Sequence, residues 1–285
     1  MKKIYFILVV LSLFSVSPVI SQQVFKKSFG AADNGEYQYD FKKMKGDKYL
    51  VTGATYYYGG GNAEAYCIML NAQGDMLWSK TYGTISPEDY TKCYGTADNG
   101  FLLSFSSYGG KTGKDTGLFI VKCDKKGDVQ WSKFIKHAKA EVFRPASMHE
   151  DKNGNYYLLY DWNTSRFYGK TFALLKFNHS GDMLWNNVIN SRPLSSFSSI
   201  QIAETDNGDI LVGGYGAGDN WDTYGSFIHL FLFSEKDGSV KFCKKINASD
   251  CYQCDLYLDN IVVKKNHIYL TGIHYGRGGL PSEVF

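Results

Sequence analysis

One motif recurs along this chain and limits the folds open to it. Residues 71–83 read NAQGDMLWSKTYG, residues 124–134 DKKGDVQWSKF and residues 178–190 NHSGDMLWNNVIN. Trp78, Trp131 and Trp185 are 53 and 54 residues apart, and Phe242, in KDGSVKFCKKIN, takes the same slot 57 residues later. Phe25, in QQVFKKSFG, lies 53 residues before Trp78. A second anchor keeps step: GDKYLVTGA starts at 46, NGFLLSFSS at 99, NGNYYLLYD at 153, NGDILVGGY at 207 and NHIYLTGIH at 266. Two anchors sharing one period mean an array of similar units, not one irregular core.

Each unit reads as four short strands, in the first about 37–44, 48–57, 64–71 and 75–82. Asp98-Asn99-Gly100, Asn153-Gly154 and Asp206-Asn207-Gly208 supply tight turns between the first two strands, because Asn and Gly accept positive φ. The third strand is a near-continuous apolar run (LFIVKC, FALLKF, SFIHLFLF), as in a strand covered on both faces. Aromatics at 16% with only 5 Pro favour strands, and no helix is predicted after the first segment. The expectation is all-β: a β-propeller of four-stranded antiparallel blades with a ~54-residue repeat, about five blades being present. Paired β-sandwiches would not explain one unbroken period. The blades fall at about 37–83, 90–136, 143–190, 197–247 and a partial 255–285. Residues 24–30 form a lent outer strand that completes the last blade. The third strand of that blade only begins at Ser282 to Phe285, so the fold reads as incomplete there, a fragment of a longer propeller.

Asp124-Lys-Lys-Gly127-Asp-Val-Gln-Trp131 resembles the D-x-x-G-x-x-x-W tryptophan-docking repeat of quinoprotein-like propellers, and Asn71 and Asn178 stand in for the Asp in two further copies. The chain is also similar to repeat propellers of exported bacterial surface proteins, many carried by type IX secretion. The resemblance lies in blade-building residues: Gly74, Asp75 and Trp78; Gly127, Asp128 and Trp131; Gly181, Asp182 and Trp185; and Gly238 and Phe242. It implies fold more than function. It carries over no set of quinone-binding residues, so no cofactor is expected. The Gly makes the turn, the Trp covers the neighbouring blade, and the Asp after the Gly is expected to cap nearby turn amides.

Residues 1–21 predict an export signal: Lys2 and Lys3, an apolar run from Ile4 to Phe14, and Val19-Ile20-Ser21 as the cleavage site. The propeller would then span 22–285, exported to the periplasm, the outer surface or the medium. No later segment is long and apolar enough for a membrane span. The net charge of +3 includes Lys2 and Lys3 and forms no basic stripe, so no nucleic-acid partner is predicted. Six Cys are too few for a disulfide scaffold. Cys67 and Cys123 read as core, and Cys243, Cys251 and Cys254 are candidates for a local disulfide. The pair in CYQC lacks the second pair that zinc would need, the six His keep no ligand spacing, and Asp98, Asp151, Asp206 and Asp219 lack a calcium-loop pattern, so no metal is predicted.

With tight turns gathered at one end of the blades, function is expected at the other, where the loops refuse to repeat. There the candidates are Tyr57 and Tyr58 in the first unit, Tyr108 in the second, and Trp162, Arg166 and Tyr168 in the third. Tyr215, Trp221 and Tyr224 follow in the fourth, and Tyr275 and Arg277 in the last. Aromatics beside Gly suit carbohydrate or surface-protein recognition, because flat rings stack and give contact area. A binding module is the favoured reading. A propeller enzyme, either polysaccharide-active or an oxidoreductase, and a structural adhesin component are the rivals. A hydrolase would need paired carboxylates, and Glu88, Glu141 and Glu204 are the acids considered.

Overall fold

The computed structural model describes residues 27–29, 35–56, 63–84, 86–109, 116–136, 142–163, 171–190, 194–218, 226–246, 255–265, 267–275 and 283–284. Among these the secondary structure is entirely β. The first sheet runs β1 (Glu36–Met44), β2 (Lys48–Thr55), β3 (Glu64–Leu70) and β4 (Met76–Tyr82), each antiparallel to the next. The second is β5 (Glu88–Gly95), β6 (Phe101–Ser107), β7 (Gly117–Cys123) and β8 (Val129–Ile135). The third is β9 (Val142–Glu150), β10 (Tyr156–Asn163), β11 (Thr171–Phe177) and β12 (Met183–Asn190). The fourth holds β13 (Leu194–Glu204), β14 (Ile210–Gly218), β15 (Ser226–Phe233) and β16 (Val240–Ile246). A single parallel pairing, Ser226 with Asp255, joins it to β17 (Asp255–Lys264), β18 (His267–Tyr275) and β19 (Glu283–Val284).

The first strands stack in sequence, with β1 along β5, β5 along β9, β9 along β13 and β13 along β17. The sheets therefore lie face to face in chain order with their first strands innermost, a propeller-like arrangement. Apolar side chains fill each space between sheets. Leu50, Cys67, Cys93, Phe101, Phe105 and Cys123 pack between the first two. Phe143, Leu158, Tyr160 and Phe177 pack against Leu102 and Ile120 in the next space, and Leu159, Phe172 and Ile210 in the third.

The repeated motif explains how neighbours lock. Asn71 Oδ1 accepts from the amides of Gln73 and Asp75, at 2.9 and 2.8 Å, and Asp124 and Asn178 do the same in their turns. The amide cap is thus the residue three before the Gly, not the Asp after it. That Asp reaches between blades instead: Lys80 of the first sheet donates to Asp128 of the second at 2.7 Å. The Trp lies on the next blade's turn. Trp131 Nε1 donates to the His179 carbonyl at 3.0 Å, and Trp185 Nε1 to that of Glu235 at 3.2 Å. A Cβ on Gly181 would come within 2.7 Å of the Trp131 ring, and one on Gly238 within 2.6 Å of Trp185. Glycine is required at both because an indole covers it as well as for its φ, +82° at Gly181 and +71° at Gly238.

Two buried lysines complete this end. Lys122 donates to Asp98 at 2.8 Å and to Gln130 Oε1 at 3.1 Å. Lys176 donates to Glu235 Oε1 at 2.5 Å, with Asp151 at 3.7 Å and the Tyr157 ring beneath it. Both neutralise the acidic turns and tie the tight-turn end into the core.

Candidate functional site

The opposite end is built by the starts of the first strands and the ends of the second. Every first strand breaks register partway: β1 between Gln38 and Asp40, β5 between Asp89 and Lys92, β13 between Ser199 and Gln201, and β17 between Leu258 and Asn260. On β9 the unpaired residue is Ala146, between Pro145 and Ser147. A bulge leaves one residue out of the ladder and re-aims its side chain. In the first two sheets the displaced residues include Tyr39 and Tyr90, and Tyr90 sits at φ +52°, a left-handed conformation that costs a bulky side chain about 1–3 kcal/mol.

These two tyrosines meet, with ring centroids 5.8 Å apart. The Tyr39 hydroxyl interacts with the Asp89 carboxylate, and burial together with that contact raises the phenol well above its ordinary range. The amide of Tyr90 donates to Asp89 Oδ1 at 2.9 Å. Tyr108, just beyond β6, has its amide fixed to the Pro87 carbonyl at 2.9 Å. Its phenol is also raised, first by burial and then by Tyr90 and Asp89. Tyr56, exposed at the end of β2, lies in the field of Asp89 and edge-on to Tyr37. Arg144, near the start of β9, holds its guanidinium carbon 5.2 Å from the centroid of the Tyr90 ring. The result is a half-buried carboxylate among four tyrosines with one arginine at the side.

Glu88 precedes this carboxylate but faces the other way, into the space between the first two sheets. It is fully buried; Oε1 accepts from the amide and hydroxyl of Thr84, each at 2.9 Å, and Oε2 has no partner among the described residues. Burial pushes its carboxyl up to about 7, against the pull of the Thr84 hydrogen bonds. Glu204 ends its strand and bonds His149 at 3.1 Å. It therefore lies at the tight-turn end, about 20 Å from Glu88 along strands rising ~3.3 Å per residue. Glu141 lies outside the described residues. Glu88 and Glu204 do not converge as a catalytic pair.

Of the loop aromatics, Tyr108 joins the constellation. Trp162 does not: it is 9% exposed, paired in register with Phe143, and packed in the core between the second and third sheets. The strand simply runs further than the loop reading allowed. Tyr215 is half-buried and edge-on to Tyr257 at 4.8 Å, against the core beside β17. Tyr275 ends β18. Tyr57, Tyr58, Arg166, Tyr168, Trp221, Tyr224 and Arg277 lie outside the described residues, as do Cys251 and Cys254. Cys243 is an exposed free thiol. Sequence reasoning did not single out Tyr39, Asp89, Tyr90 or Arg144, which sit in first strands, nor Tyr56, which follows β2 beside the candidates Tyr57 and Tyr58. Among the described residues no cluster of three His, Cys, Asp or Glu could hold a metal ion, and no helix is long and apolar enough to cross a membrane.

No family model matches the chain, and a search of curated proteins finds no match. Solved structures do share its architecture. An α-L-arabinanase of Penicillium chrysogenum, complexed with arabinobiose, superposes with a TM-score of 0.54 at 12% identity, over 86% of this chain and 76% of that one. An endo-arabinase of Bacteroides thetaiotaomicron gives 0.45 at 13% identity, over 85% and 89%. At such identity the first of these is a likeness of fold. The fold is propeller-like, of four-stranded antiparallel sheets.

Proposed function

We propose that this protein is an exported propeller that binds carbohydrate at the loop end of its inner strands. The observation that carries the reading is the Tyr39, Tyr56, Tyr90 and Tyr108 constellation around Asp89. Phenol rings offer faces to a sugar ring, and a carboxylate fixed by the Tyr90 amide keeps lone pairs for sugar hydroxyls. The likeness to an arabinanase complexed with arabinobiose agrees with a glycan ligand. Binding is favoured over hydrolysis because Glu88 and Glu204, the described acids the sequence offered, lie at opposite ends of the strands and do not pair, whereas hydrolysis commonly uses two carboxylates. Residues 1–21 as an export signal and residues 24–30 as a lent outer strand belong to the same proposal. The latter is supported by Lys27, which donates to Asp75 at 2.8 Å just as Lys80 does to Asp128.

A glycan array followed by calorimetry on hits tests this. Tyr108→Ala and Asp89→Ala should each weaken binding about tenfold or more while leaving thermal unfolding within a few degrees, since an aromatic contact is worth ~1 kcal/mol or more. An array with no hits, or hits indifferent to both substitutions, would remove the reading.

A further inference from the structure

Glu88 has no part in the carbohydrate reading, yet the linker from the first sheet to the second closes around its carboxyl. Thr84 donates to Oε1 twice, from its amide and its hydroxyl, each at 2.9 Å. The Ser86 amide in turn donates to the Thr84 hydroxyl oxygen at 3.1 Å. Gly83 lies against the other carboxyl oxygen, since a Cβ there would come within 2.5 Å of Oε2. That oxygen is buried and has no hydrogen-bond partner among the described residues. The linker also reaches the mouth. The Pro87 carbonyl accepts from the Tyr108 amide at 2.9 Å, and the Glu88 amide donates to the Ala63 carbonyl at 2.8 Å. Asp89 and Tyr90 follow directly on the strand. Glu64, at the start of β3, is the charged neighbour that bears on Glu88, and as a second negative charge it opposes ionisation. The titratable groups of the other packed elements act elsewhere. Tyr39 of β1, Tyr56 after β2 and Tyr108 after β6 act with Asp89, and Arg144 of β9 lies against the Tyr90 ring. Asp40 of β1 is held by Lys42 and the Cys93 amide.

An ionised Glu88 would put its charge on a buried, unpartnered oxygen beside Glu64, with only the two Thr84 donors to hold it, and such a charge is costly. Protonated, the group is neutral and Oε1 still accepts from Thr84. We infer that Glu88 is a proton-operated latch on the mouth: neutral, it holds the linker closed; ionised, it releases the linker, and with it the Pro87 carbonyl that fixes Tyr108. The raised titration, about 7 against an ordinary 4.5, agrees with this and sets the window. The closed form is favoured in full below about pH 4.5 and loses that advantage as pH rises through about 7. Only the closed linker fixes Tyr108 in the mouth, so the apparent affinity of a mouth ligand follows the closed fraction. The latch goes beyond the carbohydrate reading and does not depend on it, because it acts on the free protein.

Amide hydrogen exchange on the full chain, without ligand, tests this, because it reports local opening. The amides of Thr84, Glu88 and Tyr108 bond within the linker or tie it to its surroundings. Those of Gly127 and Gly181, each bonded at 3.0 Å in a tight turn at the other end of the blades, are the controls. With the intrinsic pH dependence of exchange divided out, protection of the first three should fall roughly 70-fold from pH 5 to pH 8, the ratio given by a carboxyl that titrates at about 7 closed and 4.5 open. The controls should stay level. Glu88→Gln, neutral at every pH, should abolish the fall; if that variant does not fold, the native profile against the controls decides. A flat profile at the three amides, a fall shared equally by the two glycines, or a fall that persists in Glu88→Gln would overturn the latch. No glycan enters any of these outcomes, so failure of the latch leaves the carbohydrate reading standing, and a blank glycan array leaves the latch standing.

Discussion

Replacing Gly181 by alanine adds one methyl group to a turn, and the structure says what that methyl meets. Gly181 sits at φ +82°, where an L-residue is strained by about 1–2 kcal/mol. The new Cβ would also lie 2.7 Å from Trp131 Cδ2 and 2.9 Å from Cε3, inside the docked indole. Overpacking of this kind adds roughly 1–3 kcal/mol, so Gly181→Ala should destabilise by ~2–5 kcal/mol. Gly154 is the internal control. It has φ +77° in a turn of the same end, but nothing lies within 4 Å of its added Cβ, so Gly154→Ala should cost only ~1–2 kcal/mol. Urea unfolding with matched slopes gives both free energies, and a melting shift of about 2–4 °C per kcal/mol is expected at this size. Trp131→Ala frees the space above Gly181, so the double variant should be less destabilised than the sum of the singles by ~1–3 kcal/mol. Equal costs for the two glycines, or strict additivity with Trp131→Ala, would refute the docking of each tryptophan on its neighbour's turn.

Two further outcomes follow from the same geometry. Glu88 titrates at about 7 when folded against an ordinary 4.5, so the native state holds this proton more tightly than the unfolded chain. Its contribution is fully present below about pH 4.5 and is lost as pH rises through about 7. Glu88→Gln should flatten that slope and stabilise the protein by ~2–3 kcal/mol at pH 8 relative to the native residue, read by urea unfolding at pH 5 and pH 8; an unchanged slope would count against a buried, under-bonded carboxyl. If residues 24–30 are the proposed lent strand, deleting residues 22–30 should lower the melting temperature by several degrees while Lys27→Gln alone changes it little, because exposed ion pairs contribute little. A deletion without effect would remove residues 24–30 from the fold.

The period, the strands and the turns were legible because they are local. Positive-φ positions and apolar third strands each declare themselves within a dozen residues, and repetition multiplies the signal, although the sequence points to the Asp after the Gly as the amide cap and the cap belongs to the residue three before it. The pairing of Trp with the next unit's Gly was only half legible. The motif placed both residues, but that the indole covers the glycine is a contact about 50 residues away. The mouth was illegible for a different physical reason. Strand reading relies on strict alternation, and the first strands break it at Gln38/Asp40 and Asp89/Lys92, so the period assigns Tyr39 and Tyr90 to the wrong face. For Trp162 the run DWNTSRFYGK reads as a loop, while the ladder with Phe143 and Thr171 places it in a strand and in the core.

The two ends of the inner strands divide the work of the fold. At the tight-turn end, acids that might have suggested chemistry are committed. Asp98 and Asp151 neutralise Lys122 and Lys176, and Glu204 holds His149. Charges there are paired because the repeat requires the same turn in every blade. At the loop end the repeat imposes no such demand, so a strained Tyr90, with Arg144 against its ring, can persist. Its cost is carried by the stable stack beneath it. If that division is right, substitutions at Asp98 or Lys122 act on stability and leave ligand affinity in the surviving folded fraction unchanged, whereas those at Tyr90 or Arg144 do the reverse.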